Sequence, residues 1–403
     1  MLRLRPVLMM AAFVAALAAA TPAVAQASLP AKALAPIPGP TLALMVAKQT
    51  SAQAPILIRS YKKESELEVW KQAKDGRFVH LKTFPICRWS GQLGPKRQQG
   101  DRQAPEGFYA ITAKQLNPNS AYHLSFDLGY PNAYDRAHGG NGSYLMVHGA
   151  CTSAGCFAMT DAAVGEIYAL MREAFAGGQA AVQFQSYPFR MSAENLAKHR
   201  TDTNIAFWRQ LKEGADRFEA TGLELRVGVA GKRYVFAPEA DPALEARVVE
   251  RRELEEAKMA RLAEDGAAIR TTYADGGQHP VFAALLRRGA NLGEVSRPEA
   301  LAFAGKEITL IAARPKKACP GPGCPIQVAD ASGAVPLPAS PPVLGGHAAL
   351  DLRAPLEPQF SVFAFAPLTY DGRGPKDPAP ALAGSLRILP DKLAPASFVV
   401  AAR

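Results

Sequence analysis

A short apolar run, a glycine-bearing turn and an amphipathic helix follow one another between Tyr144 and Gly178, and this succession constrains the fold more than any other stretch. Leu145-Met146-Val147 reads as a strand that delivers His148 at its end, and Gly149 lets the chain turn. Ala150 to Ala154 are small enough to loop tightly, and Gly155 gives close backbone approach just before Cys156. Thr160 or Asp161 then caps a helix carrying Val164, Ile167, Tyr168, Met171 and Phe175 on one face, with Gly177-Gly178 at its end. A strand and a one-faced helix joined this closely must pack on a common sheet.

Period-2 patterning surrounds this unit. Pro55 to Arg59, Leu67 to Trp70, Phe78 to Phe84, Phe108 to Ile111 and Tyr122 to Phe126 read as strands, and residues 28–52 as a Pro/Ala-rich leader into the first of them. Helices fit Ser192 to His199 and Asn204 to Ala215. The pattern predicts a mainly β fold, a β-sandwich with packed helices, over residues 50–222, and an α+β C-terminal region. Residues 223–318 read as an accessory region: a hairpin about Gly231, a charged solvated helix over Pro242 to Glu264, a short helix from His279 to Arg288 and a strand from Ile308 to Ala313. Residues 319–342 read as a Pro/Gly/Ala-rich linker and 343–403 as a small C-terminal unit with strands at Phe360 to Pro367 and Leu386 to Ile388.

The N-terminus sets the expected compartment. Arg3 and Arg5, the apolar run Val7 to Ala20 and Ala23-Val24-Ala25 form an export signal cleaved after residue 25, which predicts a periplasmic protein. Lys and Arg number 46 against 36 Asp and Glu, a bias that favours anionic surroundings. No arginine-rich block or aromatic-interleaved basic stripe points to nucleic acid. Five cysteines, an odd number, leave at least one thiol unpaired within the chain or pair it between chains. Cys151 either pairs with Cys87, leaving Cys156 free, which suits the odd count, or captures Cys156; Cys319 and Cys324 could close a small loop. The cysteines and histidines lack zinc-ligand spacing.

A thiolate is the nucleophile of cysteine chemistry, and a nearby imidazole can ionise it. His148 and Cys156 fit that pair; Gly155 and Ser153 are candidates for the oxyanion site or for orientation, with Tyr144 as a further orienting group. A turn tight enough to aim backbone N–H groups and the helix dipole at Cys156 would lower its pKa.

Over about residues 53–220 the chain resembles the YkuD-type L,D-transpeptidase catalytic domain. The matching features are His148-Gly149, Ser153-Ala154-Gly155-Cys156, the loop Gly100 to Tyr109, and Phe84-Pro85-Ile86-Cys87 with Leu93-Gly94-Pro95-Lys96 and Tyr130-Pro131-Asn132, which look like the short-spaced Gram-negative branch. Most members carry histidine where Ala154 stands, and arginine soon after the cysteine where Phe157-Ala158-Met159 follows. The resemblance implies acyl transfer on peptidoglycan stem peptides: Cys156 attacks, His148 moves the proton, and the acyl group passes to an amine, giving a crosslink or a protein attachment. Passage to water instead would make the chain an amidase that releases an attached outer-membrane lipoprotein. No metal or organic cofactor is implied. Arg97, Arg102, Arg136 and His138 are candidates for gripping substrate. A catalytically inactive peptidoglycan-binding module is the competing reading, and no feature sets an oligomeric state.

Overall fold

The computed structural model describes residues 29–290 and 305–314. The expected export signal (1–25), linker (319–342) and C-terminal unit (343–403), together with Cys319 and Cys324, lie outside the described residues.

Two helices come first: α1 (Ala31–Leu34) and α2 (Gly39–Ala47). This segment was expected to be a Pro/Ala-rich leader into the first strand. Its prolines suit helix starts instead: Pro40 sits in the first turn of α2, where its missing N–H is one that has no intrahelical partner. The chain then runs through β1 (Ile56–Tyr61), β2 (Glu66–Gln72), β3 (Phe78–Pro85), β4 (Arg88–Trp89), β5 (Gly107–Thr112), β6 (Leu116–Asn117) and β7 (Ser125–Asp127). Next come α3 (Ala133–Ala137), β8 (Met146–His148), β9 (Phe157–Ala158), α4 (Asp161–Ala176), β10 (Ala181–Tyr187), α5 (Ala193–Lys198) and α6 (Ile205–Thr221). A hairpin of β11 (Val227–Ala230) and β12 (Arg233–Phe236), α7 (Pro242–Asp265), β13 (Ala268–Thr272), α8 (Pro280–Arg287) and β14 (Lys306–Ile311) complete the described chain.

Two five-stranded sheets organise the first part, ordered β3-β2-β1-β10-β5 and β4-β9-β8-β7-β6. In the first, β1 and β10 run parallel and the other neighbours antiparallel. In the second, β8 and β9 run parallel. The expected mainly β sandwich is corrected here: the fold is mixed α/β, with 34% of described residues helical and 24% in strands. Many strands are short, since β4, β6 and β9 have two residues each, and the run expected from Tyr122 pairs only from Ser125. Three helices, α4, α6 and α7, are long: α6 continues past Ala215 to Thr221, where Gly222 closes it in the left-handed conformation (φ 70°).

α4 forms as its pattern predicts. The Thr160 hydroxyl accepts the Ala163 N–H at 3.2 Å, and Val164, Ile167, Tyr168, Leu170 and Met171 are buried. Each such side chain contributes about 1.5–3 kcal/mol on leaving water, so this face fixes α4 far more firmly than its cap. α7 contrasts with it. Val248 is its one buried residue, and it is held on α5 and α6 by Arg217–Glu245 (2.9 Å), Lys212–Glu255 (2.8 Å) and Lys258–Glu194 (2.6 Å).

One interior ion pair positions the loop that faces the site. Lys62 and Glu106 meet at 2.9 Å with both side chains fully buried. Trp208 Nε1 and the Gly94 N–H donate to Glu106, while Lys62 donates to the carbonyls of Gly94 and Ala104. A buried pair is weak evidence of stability, but one satisfied on all sides specifies a single arrangement. Here it clamps both ends of the 94–104 loop onto the sheet.

Candidate active site

The parallel pairing of β8 with β9 builds the site. Val147 lies opposite Phe157 and His148 opposite Ala158, so Met146 comes level with Cys156, the residue before β9. Alternate strand residues share a face. Val147 and Phe157 are fully buried on one side, and His148 and Cys156 therefore project together on the other.

His148 is 4% exposed, and its Nδ1 lies 2.7 Å from the Gly149 carbonyl, which can only accept. The proton therefore sits on Nδ1 and Nε2 carries the lone pair. Burial holds the imidazole below the usual histidine range. Tyr122 covers the ring, centroid to centroid 4.8 Å, from a loop whose Tyr122 carbonyl accepts the Gly149 N–H at 3.0 Å. Lys32 of α1 ties that loop down through the carbonyls of Ser120 and His123.

Cys156 is the free cysteine among the described residues, because Cys87 and Cys151 form a disulfide with Cα atoms 5.2 Å apart. Of the two expected pairings, the structure has the one that leaves Cys156 unpaired. Its Sγ donates to the Tyr144 carbonyl at 3.8 Å. The expected lowering of its pKa does not occur. Burial pushes the thiol up and the Asp127 charge adds to this, against the Met146 N–H and the Lys96 ammonium. The physical reason is placement: Cys156 enters a strand, and α4 begins only at Asp161. Thiol and imidazole are therefore both biased to their neutral forms.

Ser153 organises the turn. Its hydroxyl donates to the Cys156 carbonyl at 2.7 Å, accepts from Ser90 Oγ at 2.7 Å and accepts the Gly155 N–H at 3.3 Å. Gly155 has φ 127°, a conformation that L side chains rarely adopt. Because Ser153 already takes the Gly155 N–H, that amide is less available to an oxyanion than the sequence reading expects. Tyr144 is 45% exposed, with φ 58°, and contributes its carbonyl rather than its ring to the thiol.

The cationic candidates separate. A methyl group on Gly155 would come within 3.9 Å of Arg102 Cα, so Arg102 belongs to the site's rim. Its guanidinium meets Asp275 at 2.5 Å. Arg97, Arg136 and His138 gather instead around α3: both arginines act on the Asp135 charge, Arg136 donates to the Pro131 carbonyl, and His138 stacks on Tyr134 at 4.1 Å. Sequence reasoning missed Lys96, buried and bonded to Asp101 and the Gln98 carbonyl, and missed Asp127 and Ser125 on the His148 face. The alternation Ser125-Phe126-Asp127 was their only signal, and it needs the strand register to be read. Among the described residues no group of three His, Cys, Asp or Glu side chains is placed to hold a metal ion.

A segment from the accessory region grips this rim. Tyr273 exchanges backbone hydrogen bonds with the Gln92 side chain and packs edge-on against Trp89, with ring centroids 4.8 Å apart. Gly277 bridges Trp89 across the free edge of β4, Asp275 takes Arg88 as well as Arg102, and Phe282 packs with Cys87 beside the disulfide.

Comparison with known proteins places this geometry in a class. The model of the YkuD family, the L,D-transpeptidase catalytic domain, matches residues 61–180. Over 190 residues the chain is 43% identical to "Putative L,D-transpeptidase YafK" of Escherichia coli, covering 47% of this chain and 77% of that protein. The chain belongs to the YkuD family of L,D-transpeptidase catalytic domains, whose transpeptidase or amidase activity is on peptidoglycan. Among solved structures, the helical cell shape determining protein Pgp2 from Campylobacter jejuni is similar at 13% identity, over 58% of this chain and 80% of that one, with a TM-score of 0.28.

Proposed function

We propose that the chain is a cysteine-dependent L,D-transpeptidase that transfers an acyl group from a peptidoglycan stem peptide through Cys156. The observation that carries this reading is the β8–β9 register, which sets His148 and Cys156 on one face with His148 Nε2 as the free base. The Sγ–H proton passes to Nε2 as sulfur attacks the carbonyl carbon. The S–C bond forms, the C–N bond breaks, and His148 returns the proton to the departing amine. Since both groups favour their neutral forms, the proton moves during attack and no standing ion pair is required. The Cys156 amide is the oxyanion donor, with Ser153 holding the turn and Arg102 binding the donor carboxylate in place of the arginine that Phe157 displaces.

The acyl group then goes to an amine, giving a crosslink or an attached outer-membrane protein. The site works in the periplasm after export, within a catalytic unit spanning 50–222. Mass spectrometry after incubation with purified muropeptides tests this. An acyl adduct on Cys156, absent in Cys156→Ala, is expected. No adduct and no product would leave the inactive peptidoglycan-binding module as the reading. Products identify the acceptor: a new crosslink for transpeptidation, a shortened stem or a released protein for hydrolysis.

A further inference from the structure

The face that holds His148 and Cys156 also holds an acid that the steps above leave unused. Asp127 ends β7 and lies opposite Met146, which is level with Cys156; Ser125 lies opposite His148, which pairs with Ala158. Two rows result, Asp127–Met146–Cys156 and Ser125–His148–Ala158, and both project to the same side because registered neighbours in a sheet share a face. The alternating residues Phe126, Val147 and Phe157 are fully buried on the other side. Asp127 therefore reaches the nucleophile's surroundings, and its charge acts on the thiol.

Its surroundings lack a counter-charge. One Asp127 oxygen accepts the Gly129 N–H at 2.7 Å, and among the described residues no Lys, Arg or His forms an ion pair with it. Lys96, the cation nearest in role, is committed to Asp101 and the Gln98 carbonyl. In the adjoining row the buried Ser125 Oγ has no hydrogen-bond partner among the described residues. A half-buried carboxylate without a counter-charge is costly to keep charged, and burial pushes this one up to about 6. It is still mostly ionised at neutral pH, so a cation from the substrate is the partner that offsets its desolvation.

The second substrate of an acyl transfer to nitrogen is such a cation, since a primary amine is an ammonium at neutral pH. We propose that Asp127 is the acceptor-recognition residue: its carboxylate binds the ammonium of the primary amine that takes the acyl group from Cys156. This rests on the acyl-enzyme reading above. The bound R–NH3+ gives one proton to solvent and attacks the thioester carbonyl. The C–N bond forms as the C–S bond breaks, and the second proton passes through His148 to the departing thiolate.

The test uses the full chain and two nucleophiles. The Cys156 adduct is formed with a purified muropeptide, then chased with Nα-acetyl-lysine, whose side chain is an ammonium, or with hydroxylamine, which is neutral at the same pH. In Asp127→Asn the expected loss is confined to the ammonium: transfer to acetyl-lysine at least about tenfold slower, matching one charge-assisted hydrogen bond, with hydroxylamine and water reacting within about twofold of the unmodified enzyme. Asp127→Glu, which keeps the charge, is expected to recover part of the loss. Equal rates with both nucleophiles would overturn the proposal. So would a parallel fall of adduct formation and of both chases, which marks a structural role. Absence of any adduct in the unmodified enzyme overturns the acyl-enzyme reading itself and this one with it, and is distinguishable from both other outcomes.

Discussion

The Arg102 guanidinium and the Asp275 carboxylate meet at 2.5 Å across a sequence separation of 173 residues. One belongs to the loop beside the Cys156 turn and the other to the segment that runs along Trp89. Asp275 also takes Arg88 at 3.2 Å, so a single carboxylate orients two cations at the rim.

Arg102→Ala is expected to raise KM for a stem peptide about tenfold with a smaller change in kcat, the signature of a lost charge-assisted contact made in the bound state. Asp275→Asn removes two partly exposed pairs, and its stability cost is expected to be only about 1 kcal/mol. Steady-state kinetics and thermal unfolding of the two variants separate binding from scaffolding. An Arg102→Ala enzyme with unchanged KM would remove Arg102 from substrate recognition.

The pH profile follows from the direction of two shifts. His148 acts as base when unprotonated, and burial lowers its pKa, so activity is expected to rise with pH with its midpoint below the ordinary histidine value of 6.5. The thiol is pushed up from 9.0, so alkylation of Cys156 by iodoacetamide is expected to keep accelerating past that pH. A plateau in alkylation near neutrality would instead reveal a standing thiolate.

The Cys87–Cys151 disulfide spans 64 residues of sequence and anchors Ala150 and Cys151, both at positive φ, between His148 and Cys156. Cys87→Ser with Cys151→Ser is expected to cost about 2–4 kcal/mol, read as a lowered Tm, and to slow adduct formation because the turn is no longer tied. Peptide mapping without reduction should find Cys87 linked to Cys151, with Cys156 open to alkylation. A Cys151–Cys156 link would contradict the structure.

His199 gives a separate test of stability. It is fully buried, stacked on Phe189 at 4.8 Å, and neither ring nitrogen has a hydrogen-bond partner in the described residues. Burial lowers its pKa from 6.5 to about 4. Between those values the unfolded chain binds more protons than the folded one, so stability falls as pH falls through this window. His199→Phe is expected to flatten that slope while changing stability at neutral pH little, as followed by denaturant unfolding across the window.

The strand–turn–helix around Cys156 was legible because its signals are local: His148 closes an apolar run, Gly155 marks the tight approach, and Thr160 caps α4. The helices before β1 were hidden in a stretch read only as a Pro/Ala-rich leader, although a proline in the first turn, as Pro40 is in α2, starts a helix. The balance of helix over strand was missed for a related reason. Two-residue strands such as β4 and β9 are set by their partners, and α6 continues past its expected end at Ala215 to Thr221. Asp127 and Ser125 could not be assigned to the site from sequence, since a face is defined only once β7, β8 and β9 are in register. Arg102 was named as a candidate, but its partner Asp275 lies in a stretch without any motif.

The contacts of Tyr273, Asp275, Gly277 and Phe282 bear on what should be expressed and purified. The family match ends at residue 180, yet those four residues cap the edge of β4, hold Arg102 and shelter the disulfide. A protein cut at the family boundary would lose β10 from between β1 and β5 and would present Trp89 and unpaired strand edges to solvent, an invitation to aggregation. Inhibitor screening and crystallisation are better served by a protein that retains the chain through α8, because that later segment holds Arg102 and the edge of β4 beside the Cys156 turn.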